Sequence, residues 1–269
     1  MYWLYSETML ERPKIAGNVA TWNVGPLGYY GSREQIFSTL RIGLPVVFFQ
    51  EVGFSSKYKR AVKRELQAAF PEYLVFTEVG GETLSDYHER RNQGRAYHIG
   101  VMTCIHKGAF KSAQRQAWHS TKERGALKYM RKGRILCVEA LTMTGTKVRL
   151  VNLHQATSRD FPMQQTIWGM LAEGILNRPA IPALLAGDFN ANAHNPREGH
   201  SISNARHMEA VDAAMQTFLQ DTGGQLVSPS TPSRKHTTGG QAATLDHVMV
   251  WNAPNPIDSG ITGWVGDSV

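Results

Sequence analysis

The chain is predicted to fold as an α/β sandwich in which two sheets pack face to face. Three observations carry this. Short apolar runs of strand length alternate with helical patterns along all 269 residues, with no repeat or low-complexity linker. Hydrophobic residues make up 42% and charged residues 19%, which is globular composition and excludes a disordered or collagen-like chain. Several apolar runs also end abruptly in a carboxylate, an amide or an imidazole.

Taken in order, residues 1–17 read as an irregular lead-in and residues 18–269 as one domain. Asn18 to Val24 is the first strand. Ser32 to Ile42 reads as a helix capped by Ser32. Pro45 to Glu51 is a buried strand, and Ser56 to Phe70 a basic helix stopped by Pro71. Tyr73 to Glu78, His98 to Ile105, Gly133 to Met143 and Lys147 to His154 read as strands, with a hairpin turn at Gly145. Phe161 to Leu176 is helical, Ala183 to Asp188 is a buried strand, Arg206 to Leu219 is helical and Leu245 to Trp251 is a strand.

The formal charge is +7. It is concentrated between Cys104 and Arg134, where nine basic residues face one acid, Glu123, for a segment charge of +8. Trp118 and Tyr129 interleave with Lys128, Arg131, Lys132 and Arg134. Such a segment suits either a solvated loop or a phosphate-backbone contact. A second basic run, Lys57 to Arg64, spreads around a helix and reads as a solvated face. Two cysteines, Cys104 and Cys137, exclude a disulfide framework and a cysteine-based zinc site. The N-terminus lacks the charge and apolar pattern of a secretory signal, and the longest apolar run, Leu44 to Phe49, is far too short to span a membrane. An intracellular location, nuclear or cytoplasmic, and a monomer are expected.

The polar strand ends are the informative feature. Thr21-Trp22 runs into Asn23, Phe48-Phe49 into Gln50-Glu51, and Leu150-Val151 into Asn152-Leu153-His154. Ala186-Gly187 runs into Asp188-Phe189-Asn190, and Asp246-His247 opens the final run. Strand alternation groups Val47, Phe49 and Glu51 on one face, and Leu184, Ala186 and Asp188 on one face. Strand–helix–strand connections make the Asn23 and Glu51 strands parallel, and likewise the His154 and Asp188 strands. Two packed sheets would then gather Glu51, Asp188, Asp246, Asn23, Asn190 and His154 into one pocket. Oxygen ligands with few carboxylates suit Mg²⁺, and an imidazole with two amides supplies hydrogen bonds to phosphate oxygens. These are the parts of a phosphoester hydrolase. His247, which follows Asp246, faces the other way and reads as structural.

In this order the motifs Thr21-Trp22-Asn23-Val24, Phe49-Gln50-Glu51, Val151-Asn152-Leu153-His154, Gly187-Asp188-Phe189-Asn190 and Leu245-Asp246-His247 resemble those of the DNase I-like endonuclease/exonuclease/phosphatase superfamily. The resemblance implies a four-layer α/β/β/α sandwich and a Mg²⁺-dependent phosphodiesterase, Mn²⁺ serving as an alternative ion. It implies that Glu51 is the main metal ligand, assisted by Asn23. Asp188 would align or deprotonate the attacking water, and Asn190 would hold the phosphate. His154 would bind the phosphate or assist the leaving oxygen, and Asp246 would orient a histidine. Asn152 and the cations Lys128, Arg131, Lys132 and Arg134 are expected to bind substrate, with DNA as the favoured partner.

Gly25 stands where abasic endonucleases carry an acid, and His154 where exonuclease III-type enzymes and most retroelement endonucleases carry tyrosine. The superfamily's closing Ser-Asp-His has no counterpart in Gly266-Asp267-Ser268-Val269, so a domain cut before its last strand, or a decayed copy, is expected. Three functions follow: an endonuclease, of the mobile-element kind among others; a phosphatase or phosphodiesterase on a small or lipid phosphoester; or a degenerate nucleic-acid-binding domain.

Overall fold

The computed structural model describes residues 14–16, 19–24, 28–52, 59–83, 98–116, 133–156, 161–178, 180–191, 202–227 and 246–252. Lys128, Arg131, Lys132 and residues 253–269, where the domain is expected to be cut, lie outside the described residues.

Sheet A holds β1 (Lys14–Ala16), β2 (Val19–Asn23), β3 (Val46–Gln50), β4 (Tyr73–Thr83) and β5 (His98–His106) in the order β1-β2-β3-β5-β4. Sheet B holds β6 (Phe110–Gln116), β7 (Ile135–Thr142), β8 (Lys147–His154), β9 (Ala183–Asp188), β10 (Gln225–Leu226) and β11 (Asp246–Trp251) in the order β10-β11-β9-β8-β7-β6. The helices are α1 (Gly28–Gly31), α2 (Arg33–Arg41), α3 (Lys59–Ala69), α4 (Phe161–Leu176) and α5 (Ile202–Thr222). The two βαβ connections behave as expected: β2 and β3 run parallel, as do β8 and β9.

Three apolar cores separate four layers. Alternate residues of one strand serve different cores, because successive side chains point to opposite faces. Val46 and Phe48 join Leu150, Leu184, Ala186 and Val248 between the sheets. Val47 and Phe49 face outward onto Ile36, Leu40, Val62 and Leu66 of α2 and α3. On the other side Val151, Leu185 and Met249 pack on Ile167, Trp168 and Leu171 of α4 and Val211 and Met215 of α5. The result is the four-layer α/β/β/α sandwich.

Several local expectations need correction. The lead-in is not wholly irregular, since Lys14–Ala16 pairs antiparallel with β2. Ser32 makes no side-chain cap to α2 and donates instead to the carbonyl of Val24 at 3.1 Å, tying the helix entrance to the end of β2. Strand β6 was missed because only Phe110 along it is buried, so it carries no apolar run. Helix α5 extends beyond the expected Arg206–Leu219 at both ends.

The middle core is not purely apolar. Asn152, which has no exposed surface, accepts from Gln50 Nε2 at 2.8 Å across the gap between sheets. Its own Nδ2 lies 2.9 Å from Met102 O, 3.2 Å from Phe49 O and 3.3 Å from Thr103 Oγ1. The substrate-binding role expected for Asn152 is therefore corrected: its amide is consumed in a clamp joining β8 to β3 and β5. Asn152→Leu removes the shorter of the two acceptors of Gln50 Nε2, leaving only Thr21 Oγ1 at 3.2 Å, and is expected to cost about 1–3 kcal/mol. A lowered urea midpoint at unchanged m-value is the readout; an unchanged midpoint would deny the clamp any energetic weight.

Candidate active site

The parallel register aligns Asn23 with Gln50 and His154 with Asp188, while the antiparallel register sets Asp246 opposite Asp188. All five strand ends therefore meet at one rim. Asn23, His154, Asp188 and Asp246 all lie on the faces turned toward the gap between the sheets, in phase with Val19, Leu150, Leu184 and Val248.

Glu51 arrives differently. Alternation after Val47 and Phe49 would send it to the helix side, away from Asp188. Instead Glu51 takes φ 53°, a left-handed conformation uncommon for a non-glycine residue, and this turn brings its side chain back over the gap. Asn190 has φ 48° two residues after Asp188. Left-handed non-glycine backbone on both sides of the same pocket is strain of the kind that concentrates at functional sites. Gly187 completes the local geometry. Its φ is 152°, and a Cβ there would overlap the carbonyl of Leu153, so only glycine lets β9 approach β8 just before Asp188.

Asn23 sits between the halves. Its Nδ2 donates to Glu51 Oε1 at 3.1 Å and to Asp188 Oδ2 at 2.7 Å. The amide nitrogen, and not the oxygen expected to assist a metal, faces these carboxylates, so Asn23 acts here as a donor bridging two like charges. His154 Nε2 lies 3.4 Å from Glu51 Oε1. The other ring nitrogen of His154 is buried with no hydrogen-bond partner among the described residues, so Glu51 is the group that orients the imidazole. Asp188 Oδ1 accepts the backbone N–H of Asn190 at 2.8 Å, and Asn190 Nδ2 donates to Gln155 O at 2.9 Å. Gln155 is itself fully buried and lies 3.4 Å from the carbonyl of Gln164 on α4. Sequence reasoning named Gln50 only as part of a strand end and gave it no role, and it missed Gln155 and Gln164. The available signal was an amide closing an apolar strand and its neighbour.

Burial pushes the Asp188 carboxyl above the ordinary carboxylate range; His154 and the donors Asn23 and Asn190 pull the other way, and Glu51 adds to the rise. A buried carboxylate of this kind is a better proton acceptor than an exposed one. Asp246 is buried beside it on β11. His247 points into the opposite core, where Nε2 lies 2.9 Å from Ala191 O and the ring packs on Phe189, consistent with a structural role.

Ligand atoms from Glu51, His154 and Asp188 lie within 4.8 Å of one another. Two carboxylates held this close, one of them buried, are what a divalent cation relieves, and mixed oxygen and imidazole donors suit such an ion. The residues present fit a divalent metal centre.

The sequence pattern of the endonuclease/exonuclease/phosphatase family matches residues 20–268. The chain belongs to this family. Among solved structures it is similar to the AP endonuclease LMAP of Leishmania major, with 14% identity, TM-score 0.65 and coverage of 87% of this chain and 78% of that one. It is also similar to the Neisseria 3′ phosphatase NExo bound to product DNA hairpin, with 14% identity, TM-score 0.58 and coverage of 87% and 86%. The endonuclease domain of TRAS1, a telomere-specific non-LTR retrotransposon, matches with 12% identity, TM-score 0.55 and coverage of 87% and 84%. At these identities the likeness is one of fold. No curated protein matches the chain.

Within this family member the expected basic surface needs revision. Lys107 lies in the turn after β5, at the end of the sandwich away from the rim, and bonds to Pro71 O. Arg115 pairs with Glu78 across the two edge strands. Arg134 is buried, with Nη1 3.4 Å from His154 O and 3.3 Å from Gln155 O. These bonds give Arg134 a structural tie to the end of β8 beneath the site. Among the described residues no helix is long and apolar enough to cross a membrane.

Proposed function

We propose that this phosphoester hydrolase is a Mg²⁺-dependent nuclease that cleaves phosphodiester bonds in nucleic acid, with DNA as its substrate. The observation that carries the reading is the bridge from Asn23 to both Glu51 and Asp188, which joins the two sheets into one anionic pocket. A divalent cation held by Glu51 with Asp188 or His154 would polarise a phosphoryl oxygen and offset the charge that develops on it. The chain's own groups supply the rest. Asp188, fixed at both oxygens by Asn23 and Asn190, aligns a water and takes up its proton. His154 Nε2, which faces Glu51 in the free protein, turns from that carboxylate to donate to a non-bridging oxygen. Asn190 reaches the phosphate only by giving up its bond to Gln155 O, and otherwise serves to fix Asp188; Asp246 adds a second buried carboxylate beside Asp188.

The nucleic-acid part rests on charge and topology. β6 ends at Gln116 opposite Cys137, and β7 begins at Ile135 opposite Leu153. The chain between them, which contains Lys128, Arg131 and Lys132, therefore leaves and rejoins sheet B at the rim end. A polyanion is the substrate that a basic connection attached at this end suits.

Nicking of supercoiled plasmid tests the reading. Mg²⁺ should support nicking, EDTA should stop it, and Asp188→Asn should lower the rate by about 10²–10⁴-fold, the usual worth of a positioned base. Full nicking in EDTA, or an Asp188→Asn variant as fast as wild type, would overturn it.

A further inference from the structure

We infer that the exposed face of α3 is a second phosphate-contacting surface, which grips the nucleic-acid backbone beside the scissile bond. This rests on the nucleic-acid reading above and deepens it.

The helix is amphipathic in the ordinary way. Val62 and Leu66 are buried against Ile36 and Val47, and Phe70 continues the same stripe. Arg60, Lys63 and Arg64 are exposed on the other side, and Lys59 opens the helix in sequence. Sequence alone reads such a run as a solvated face. Two structural facts argue for more.

The first is direction. β3 runs from Val46 to Gln50 toward the rim, and Glu51 and Val52 follow. After α3 the chain enters β4 at Tyr73, whose partner His106 lies at the far end of sheet A, level with Val46 and Ile105. Helix α3 thus runs antiparallel to β3, with its first turns at the rim and its last turn at the opposite end. The cations are gathered in the half nearest the site.

The second is that this placement works against the helix. The N-terminal end of a helix carries partial positive charge and favours acids; the C-terminal end favours bases. In α3 the first turn has no acid and the last turn has no base. Arg60 and Arg64 are also like charges at i and i+4, a spacing that destabilises. The one acid within the run, Glu65, is engaged by Arg33 of α2. Arg33 also pairs with the exposed Glu34, so no described acid is spent on Arg60, Lys63 or Arg64. A solvated face would be better served by the reverse arrangement. Cations kept at the unfavourable end, on the flank of an anionic pocket that needs a polyanion seated over it, match the repeating charge of a phosphate backbone.

The test compares wild type with Arg60→Gln/Lys63→Gln/Arg64→Gln, each binding a fluorescent DNA duplex in EDTA over a range of salt concentrations. The triple variant should bind more weakly. Its slope of log affinity against log salt should fall by about 0.9 for every phosphate that the helix no longer neutralises. It should also melt at a higher temperature, because the helix is relieved of its misplaced charge. A steep wild-type slope that the variant reproduces would overturn the α3 surface while leaving the nuclease reading intact. No DNA binding by wild type would remove both. Loss of binding to anionic phospholipid vesicles with DNA binding unchanged would make the face a membrane contact and overturn the proposal.

Discussion

Glu51→Gln is expected to abolish metal-supported cleavage while leaving the metal-free protein as stable as before, or more so. The substitution keeps the side chain's shape. The amide oxygen can still accept from Asn23 Nδ2 and face His154 Nε2, the two neighbours Glu51 Oε1 has now. What disappears is one negative charge beside Asp188, whose carboxyl is pushed up in part by Glu51. In EDTA the variant should therefore melt at or above the wild-type temperature. With the charge gone, Mg²⁺ affinity should fall at least about tenfold, since ligand charge sets the affinity of oxygen sites. Nicking should fall by about 10²-fold or more with the loss of the ion's electrostatic contribution. Calorimetric titration and thermal melts in EDTA give the two readouts. Unchanged Mg²⁺ affinity would remove Glu51 from the metal centre, and a large drop in melting temperature would mean that its role is structural.

Gly187→Ala should have the largest effect on the fold of any single methyl group added near the site. The backbone at φ 152° is open essentially to glycine alone, which costs about 1–3 kcal/mol for another residue. The added Cβ would also meet the Leu153 carbonyl in the neighbouring parallel strand. Forcing well-packed elements apart costs about 1–3 kcal/mol more. Against a typical stability of about 5–15 kcal/mol this is a large share. Because Gly187 lies between Leu153 and the Asp188–His154 pair, the displacement also spreads the site. Wild-type stability and nicking in this variant would contradict the close approach of β8 and β9.

Much of the site was legible because catalytic chemistry needs polar groups where the fold needs apolar ones. Asn23, His154 and Asp188 each end an apolar strand run and Asp246 opens one; parallel βαβ connections align Asn23 with the end of β3 and His154 with Asp188. Glu51 was identified by the same interruption, but for an incomplete reason. Alternation alone leads to the helix side, and only the left-handed turn at Glu51, which no local pattern announces, returns it to the pocket. Asn152 was misread because residue type does not distinguish an amide facing solvent from one spent on buried carbonyls. Strand β6 escaped because an edge strand with one buried side chain has no periodic signal. The registers that pair Asp246 with Asp188, and the clamp from Gln50 to Asn152, depend on pairings between residues far apart in sequence.

The division of the pocket between two sheets has a consequence for how the protein is assembled. Sheet A contributes Asn23 and Glu51; sheet B contributes His154, Asp188 and Asp246. Neither sheet by itself contains the full set of donors, so a chain with one sheet formed has no complete centre to offer an ion. Divalent cations then cannot guide early folding. An ion bound at this centre would act only after the sheets have docked, as a late latch across the seam, slowing the parting of the halves without hastening their meeting.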